Sequence, residues 1–477
     1  MELQGAGYFL FLCLVVLAQA LIPSRARVPM LLAASCVFYA ATSVGYLLMF
    51  LVLCAINYGA ATSLDRREDG HARNWFFASV IVFDLAMLAT FKYVIQALDA
   101  LVGYAGGHPD IAVRLAVPLG ISYFTFQMVG AVTDAYRRDW RVEGGLGRFM
   151  LFGLFFPQIT SGPIPRVERL LPQFPVAVAT AEDREIGLRL IAYGLFKKYV
   201  VANRLGVYVD QIFAVPSTGA ALHYSALPTL IGCVYNVLNL YADFSSYVDI
   251  AIGSARLLGI RLDPNFDRPF TSTSVSEFWR RWHMTLSFWL RDYLYMPLVI
   301  RIRGLGVSSV VVALITTFAI CGIWHDATWP YLVFGVTQGL AMSLELTSRR
   351  RRGNLFKRAP VRAVETAGWL YTVSFFVLSE IFFRATSLSN AGMIFSRLGE
   401  LRAFSSYGEL FAYKGPYDFC LNLLAVGIWF GVAPLARSQS RFSTPLFVST
   451  PLFVLICGVL ILFLGRLGSG HFIYAGF

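Results

Sequence analysis

Runs of about twenty apolar residues recur from one end of the chain to the other, separated by short polar breaks. They fall near 7–23, 28–61, 75–94, 113–133, 225–257, 307–347, 364–386, 416–436 and 446–466. The runs at 28–61 and 307–347 are each long enough for two spans, and shorter mixed runs at 149–161 and 187–213 fit re-entrant or tilted pieces. The pattern predicts an all-α, polytopic membrane protein of about 11–12 transmembrane or re-entrant helices. One stretch departs from it. In Glu277 to Asp292, EFWRRWHMTLSFWLRD, a helical projection gathers Glu277, Arg280, Arg281, Arg291 and Asp292 within one third of the circumference. Phe278, Trp279, Trp282, Leu286, Trp289, Leu290 and Tyr293 take the opposite side. This predicts one continuous helix lying in the plane of the bilayer surface, with His283 on its aromatic flank beside Trp279 and Ser287.

Composition agrees with the pattern. Only 14% of the 477 residues are charged, against about one quarter in soluble domains. The net charge of +12 does not indicate a nucleic-acid partner, because Lys and Arg are scattered over short loops and form no basic domain. The positive-inside rule explains them better. Loops 23–27, 62–74 and 137–148 are basic, whereas 43–44 and 95–112 carry no Lys or Arg, which puts the N-terminus outside. Arg349 to Arg352, and Arg437 with Arg441, then fall inside. The first segment lacks a basic flank and reads as an anchor, despite Ala-Gln-Ala at 18–20. The seven cysteines show no CxxC or metal spacing, so no metal site is expected.

No linker, low-complexity tract or repeat divides the chain, so 1–477 reads as a single integral membrane domain. Its centre, 134–300, mixes prolines, the paired Lys197 and Lys198 and short amphipathic pieces. Irregular backbone at membrane depth must be buried in protein or line a cavity, so functional groups belong there. Four histidines, His71, His108, His223 and His471, sit in loops or at segment ends; His283 and His325 are embedded among aromatic residues. Asp243 and Asp249 lie inside the apolar run YADFSSYVDIAIG. Buried acids in a membrane face a cavity or pair with a cation, and Arg256, Arg280 and Arg281 are candidate partners; structural and catalytic roles both stay open. No Walker loop, HExxH or G-x-S-x-G is present.

In order along the chain come PLGISYFTFQ (118–127), Asp134 with Tyr136 and Arg137, FFPQ (155–158), Gly162-Pro163, YADFSSYVDIAIG (241–253), NFDRPF (265–270), EFWRRWHMTLSFWLRDYLYMPL (277–298) and GIWHDATW (322–329). With these residues the chain resembles the membrane-bound O-acyltransferase family, in its bacterial branch of alginate O-acetyltransferase membrane subunits and teichoic acid D-alanine transfer proteins. The resemblance covers about 115–345, and the tail FIYAGF (472–477) is similar too. It implies a ring of helices around a central tunnel, entered by an acyl thioester from the cytoplasm and by an acceptor from the other side. It makes His325 the expected catalytic residue and His283 the second characteristic histidine. Three departures stand out: Asp326 follows His325 where glycine is usual, Thr337-Gln338 replaces a pair ending in histidine, and MPLVIRIRG reads closer to the teichoic-acid type.

The expectation is acyl transfer, most simply of an acetyl group, in the bacterial inner membrane. The acyl-CoA or acyl carrier protein thioester acts as donor substrate, no cofactor is bound, and an extracytoplasmic acyltransferase partner is implied. His325 would serve as base and His283 for thioester positioning or proton relay. Trp279, Trp282 and Trp324 would wall the tunnel. Arg280 and Arg281 would dock the donor or anchor to anionic headgroups, two roles left open. D-alanyl transfer is the alternative within the family. A proton-coupled transporter using Asp243, Asp249 and the histidines is the alternative outside it, and a scaffold for a secreted acyltransferase is a third.

Overall fold

The computed structural model describes residues 5–95, 97–98, 117–214, 224–400, 407–412, 414–436 and 449–467. His108, His223, His471, Arg437, Arg441, most of loop 95–112 and the tail 472–477 lie outside the described residues. Among the described residues every regular element is a helix, which is the expected all-α class. Five helices are long and apolar enough to cross a membrane: Val44–Arg66, His71–Val94, Val307–His325, Val361–Arg384 and Pro416–Ala433. Ala6–Leu21, Gly145–Leu154 and Thr450–Leu464 are apolar but shorter. Other apolar runs became helices of a different kind. Ile121–Arg137 is buried on every side from Ile121 to Ala135, so it is a core helix with no face left for lipid. The mixed run at 187–213 is one helical path, Ala181–Phe196 and Asn203–Phe213, joined by a π-helical turn at Lys197–Ala202. Apolar side chains such as Leu10, Leu14, Leu48, Val52, Val82, Leu455 and Leu462 stay exposed, the surface a bilayer covers.

The chain divides into two compact units. One takes the residues up to Ile191 together with Tyr247–Asp263; the other takes Ala192–Ser246 and the chain from Pro264 onward. In the first, Tyr8, Phe11, Phe38 and Phe156 make an aromatic knot with ring centroids 5.1–6.2 Å apart. The FFPQ turn is held there by Phe156 N–H donating to Ser35 Oγ at 3.3 Å and Gln158 Nε2 donating to the Phe152 carbonyl at 3.1 Å. Gly120, at φ 78°, lets the PLG turn lie against it, since a Cβ there would fall 2.0 Å from the Ile159 oxygen.

The second unit contains both embedded histidines. Val307–His325 and Trp329–Leu355 form a tight antiparallel hairpin. Gly322 faces the Tyr331 carbonyl and Gly335 the Phe318 carbonyl; a Cβ added to either would lie 2.2 or 2.1 Å from that oxygen. Gly335 and Gly339 are four residues apart, the small-residue spacing that lets two membrane helices approach at backbone distance. Val361–Arg384 runs back along the hairpin, with Ser379 beside Gln338 and Phe383 beside Tyr331 and Phe334.

Candidate active site

The expected continuous helix over Glu277–Asp292 does not form. It is broken into Val275–Arg281 and Met284–Leu290 by an extended Trp282 and by His283 at φ 41°. Its reason lies in the NFDRPF segment, which takes over the backbone groups at the break. Arg281 carbonyl accepts from Asp267 N–H at 3.0 Å, and Met284 N–H donates to the Asn265 carbonyl at 2.9 Å. Asn265 Oδ1 accepts from Thr285 N–H at 3.2 Å and Thr285 Oγ1 at 2.6 Å, capping the second helix from outside its own sequence. Neither Gly nor Pro marks the break, so periodicity read through it. A left-handed backbone at a non-glycine residue costs about 1–3 kcal/mol and persists only where surroundings over-determine it.

The first of these helices is fixed at its start as well. Ser274 Oγ accepts from Glu277 N–H at 3.1 Å, and Glu277 reaches back to Thr273 N–H at 2.9 Å. Glu345 of the Trp329–Leu355 helix accepts from Val275 N–H at 2.6 Å, Ser276 N–H at 3.0 Å and Ser276 Oγ at 2.7 Å. Trp279 Nε1 donates to Gln338 Oε1 at 3.2 Å, and Gln338 Nε2 donates to Ser379 Oγ at 3.0 Å. Gln338, where the resemblance led one to expect a histidine, thus ties the broken helix to the Trp329–Leu355 and Val361–Arg384 helices. Neither Glu345 nor Asn265 was singled out from sequence. An acid inside a long apolar run was the available signal for Glu345; nothing local marks Asn265.

His283 is 1% exposed and meets Phe244 edge-on with ring centroids 4.7 Å apart. Burial pushes its imidazole pKa down to about 3, so the ring is neutral at physiological pH. Trp282 packs among Tyr241, Phe266 and Phe278, and Trp279 against Phe318 of the Val307–His325 helix. His325 closes that helix at 4% exposure, within an aromatic box of Trp324 at 4.6 Å, Phe383 at 5.0 Å and Tyr331 at 6.3 Å.

The expected cation partners of Asp243 are corrected by the structure. Asp243 pairs with Lys198 at 2.6 Å, both buried, and Lys198 reaches it from the π-helical turn. Beside it, Lys197 donates to Ser245 Oγ at 2.7 Å and lies over the Tyr193 ring. Arg256 pairs instead with Asp183 at 2.7 Å in the other unit, to which Asp249 also belongs. Arg281 is held by Glu277 at 2.7 Å and Thr271 at 3.0 Å, while Arg280 points to solvent. The Asp243–Lys198 and Arg256–Asp183 pairs both join separate stretches of the chain, Lys198 reaching from a π-helical turn, and helical projection of one segment cannot foresee that. The structure therefore brings His325, Trp324, Trp279 and, through Phe318, the broken helix onto the hairpin, and leaves Arg280 and Arg281 at the surface.

A buried imidazole amid aromatic walls can take a proton from a hydroxyl while water is kept away. The model of the membrane-bound O-acyltransferase (MBOAT) family matches residues 143–387. The chain is 32% identical to the probable alginate O-acetylase AlgI of Azotobacter vinelandii, over 82% of this chain and 76% of that protein. It is 29% identical to the peptidoglycan O-acetyltransferase of Helicobacter pylori, over 80% and 76%. It is 33% identical to the teichoic acid D-alanyltransferase of Streptococcus thermophilus, over 54% and 65%. The matched interval contains His283, His325, Gln338, Glu345 and Glu380.

Proposed function

The chain belongs to the membrane-bound O-acyltransferase family and is an acyltransferase, and from that premise we propose that it moves an acetyl group from a cytoplasmic thioester to a hydroxyl beyond the membrane. The acceptor is an envelope polysaccharide or an extracytoplasmic acyltransferase partner that finishes the reaction. Acetyl is favoured over D-alanyl because similarity to the acetylases extends over 82% of the chain, against 54% for the D-alanyltransferase. A proton-coupled transporter and a scaffold without chemistry of its own are set aside on the same family membership.

His325 acts as the base. It takes the proton of the acceptor hydroxyl as the oxygen attacks the thioester carbonyl. The tetrahedral oxyanion then collapses, the C–S bond breaks, and the imidazolium returns the proton to the departing thiolate. Such proton transfer contributes roughly 10²–10⁴-fold. His283, neutral and enclosed beside Phe244, lies on the donor's side and positions the thioester. Trp279, Trp282 and Trp324 wall the passage between them, and exposed Arg280 meets the phosphates of coenzyme A or an acidic carrier protein. The Lys198–Asp243 pair holds the neighbouring helix and does no chemistry. We place the protein in the bacterial inner membrane with its N-terminus outside, as the loop charges direct.

The observation that carries this reading is the aromatic box around His325 inside the family-matched interval. Purified protein supplied with labelled acetyl-CoA or acetylated carrier protein and envelope acceptor should transfer label. His325→Ala, accumulating at the wild-type level, should lower transfer at least a hundredfold. Undiminished transfer in that variant removes His325 from the mechanism; transfer from a labelled D-alanyl carrier protein, and none from either acetyl donor, selects D-alanyl transfer.

A further inference from the structure

The Val361–Arg384 helix carries a second titratable group into the neighbourhood of His325. Glu380 lies one turn before Phe383, the residue whose ring meets His325. It is 5% exposed, and its Oε2 is buried without a hydrogen-bond partner among the described residues. Its backbone carbonyl, by contrast, accepts from Asn236 Nδ2 at 3.4 Å. The helix is one of the five able to cross a membrane, and a carboxyl buried near its end is expensive unless a partner or a function offsets it.

Tyr331 of the Trp329–Leu355 helix interacts electrostatically with Glu380, with Asp326 of the hairpin turn and with Arg384. Arg384, on Glu380's own helix, is ion-paired with Asp210 of the Asn203–Phe213 helix. His325 comes from the Val307–His325 helix, and the Ala226–Leu257 helix contributes the Asn236 amide, turned to the Glu380 carbonyl. Because the hairpin and the returning helix are antiparallel, His325, Asp326, Tyr331 and Glu380 all sit at the same membrane end. Trp279 and Glu345 lie toward the other.

We propose that the Glu380 carboxyl is an acceptor-binding residue, hydrogen-bonded to the hydroxyl-bearing acceptor as that hydroxyl is presented to His325. The inference rests on the acyl-transfer reading above. A buried carboxyl oxygen that no described residue satisfies can accept a hydrogen bond from a substrate hydroxyl, and losing such a contact is felt strongly because the substrate's polar group is then buried unmatched. The hydroxyl needs a hydrogen-bonding side chain of this length, not a negative charge, so glutamine replaces glutamate where an apolar residue cannot.

The test uses full-length protein in cells lacking the chromosomal copy, with ester-linked acyl groups released from the envelope by mild alkali and measured at matched protein levels. Glu380→Gln should keep at least about half of wild-type acylation, and Glu380→Leu should fall about tenfold or more, the loss of one hydrogen bond at the upper end of its net worth. The thermal midpoints of the purified variants should stay together. Glu380→Met, of similar length and without an oxygen, answers the same question if the leucine variant fails to accumulate. Wild-type acylation in the apolar variants overturns the proposal. So does a glutamine variant as inactive as leucine, or a loss that tracks a fall in thermal midpoint. His325→Ala in the same cells separates the two claims: if it acylates normally the acyl-transfer reading fails, whereas if it is inactive and Glu380→Leu is normal only the role of Glu380 fails.

Discussion

The two embedded histidines reach their places by opposite means. His325 ends a regular helix and is located by packing: glycines at 322 and 335 let two helices touch at their backbones, and the returning helix closes the box with Phe383. His283 sits where a helix fails, in a left-handed backbone held by a loop from a different part of the sequence. The first arrangement depends on close approach over a long surface, the second on a handful of hydrogen bonds. A hairpin of this kind should resist small polar changes and collapse under bulk; the break at His283 should do the reverse.

That contrast can be broken most severely at Gly335. Gly335→Val puts carbon within about 2 Å of the Phe318 oxygen, so the hairpin must part, and the variant should lose both folded protein and acylation, read by size-exclusion of the detergent extract. Next comes Asn265→Leu, which strips the cap from Thr285. Leaving that buried donor unmatched should cost about 1–3 kcal/mol, visible as a lower thermal midpoint with acylation falling alongside it; an unchanged midpoint would mean the loop does not hold the break. Glu345→Gln keeps the shape but removes a charged acceptor at the start of Val275–Arg281, and about 0.5–2 kcal/mol is expected from such a cap, with the hairpin itself intact.

The smallest effect is on pH dependence. His283 binds its proton near pH 6.5 when unfolded and only near 3 when folded, because burial disfavours the charged ring. Between those values the unfolded state holds more protons, so stability is full above about pH 6.5 and declines as pH falls. The thermal midpoint of wild type should drop from pH 7.5 to 5.5 by more than that of His283→Gln. Parallel pH curves would show that the ring is wet.

Much of the fold was legible because spanning length and apolar composition are local properties. Val44–Arg66, Val307–His325, Val361–Arg384 and the helix from Pro416 onward all appear where the runs predicted them. His325 was legible by its isolation among aromatic residues near the middle of the run 307–347. Gln338 drew notice only as a departure from the family pattern, and its bridge from Trp279 to Ser379 joins residues 59 and 41 positions apart, beyond any local window. Asp243 was seen as a buried acid, yet its cation came from Lys198, set 45 residues away on a π-helical turn that composition does not announce.

By itself the sequence determined that the chain is helical, that it lives in a membrane, which family it resembles and which two imidazoles stand apart, since each follows from residue type and short-range spacing. Only the tertiary structure decided that the tryptophan-rich helix breaks at His283, that Lys198 answers Asp243, and that Glu345, Asn265 and Gln338 hold the pieces. Those outcomes turn on which distant backbone and side-chain groups satisfy one another's hydrogen bonds and charges away from water, and a one-dimensional pattern contains no record of such meetings.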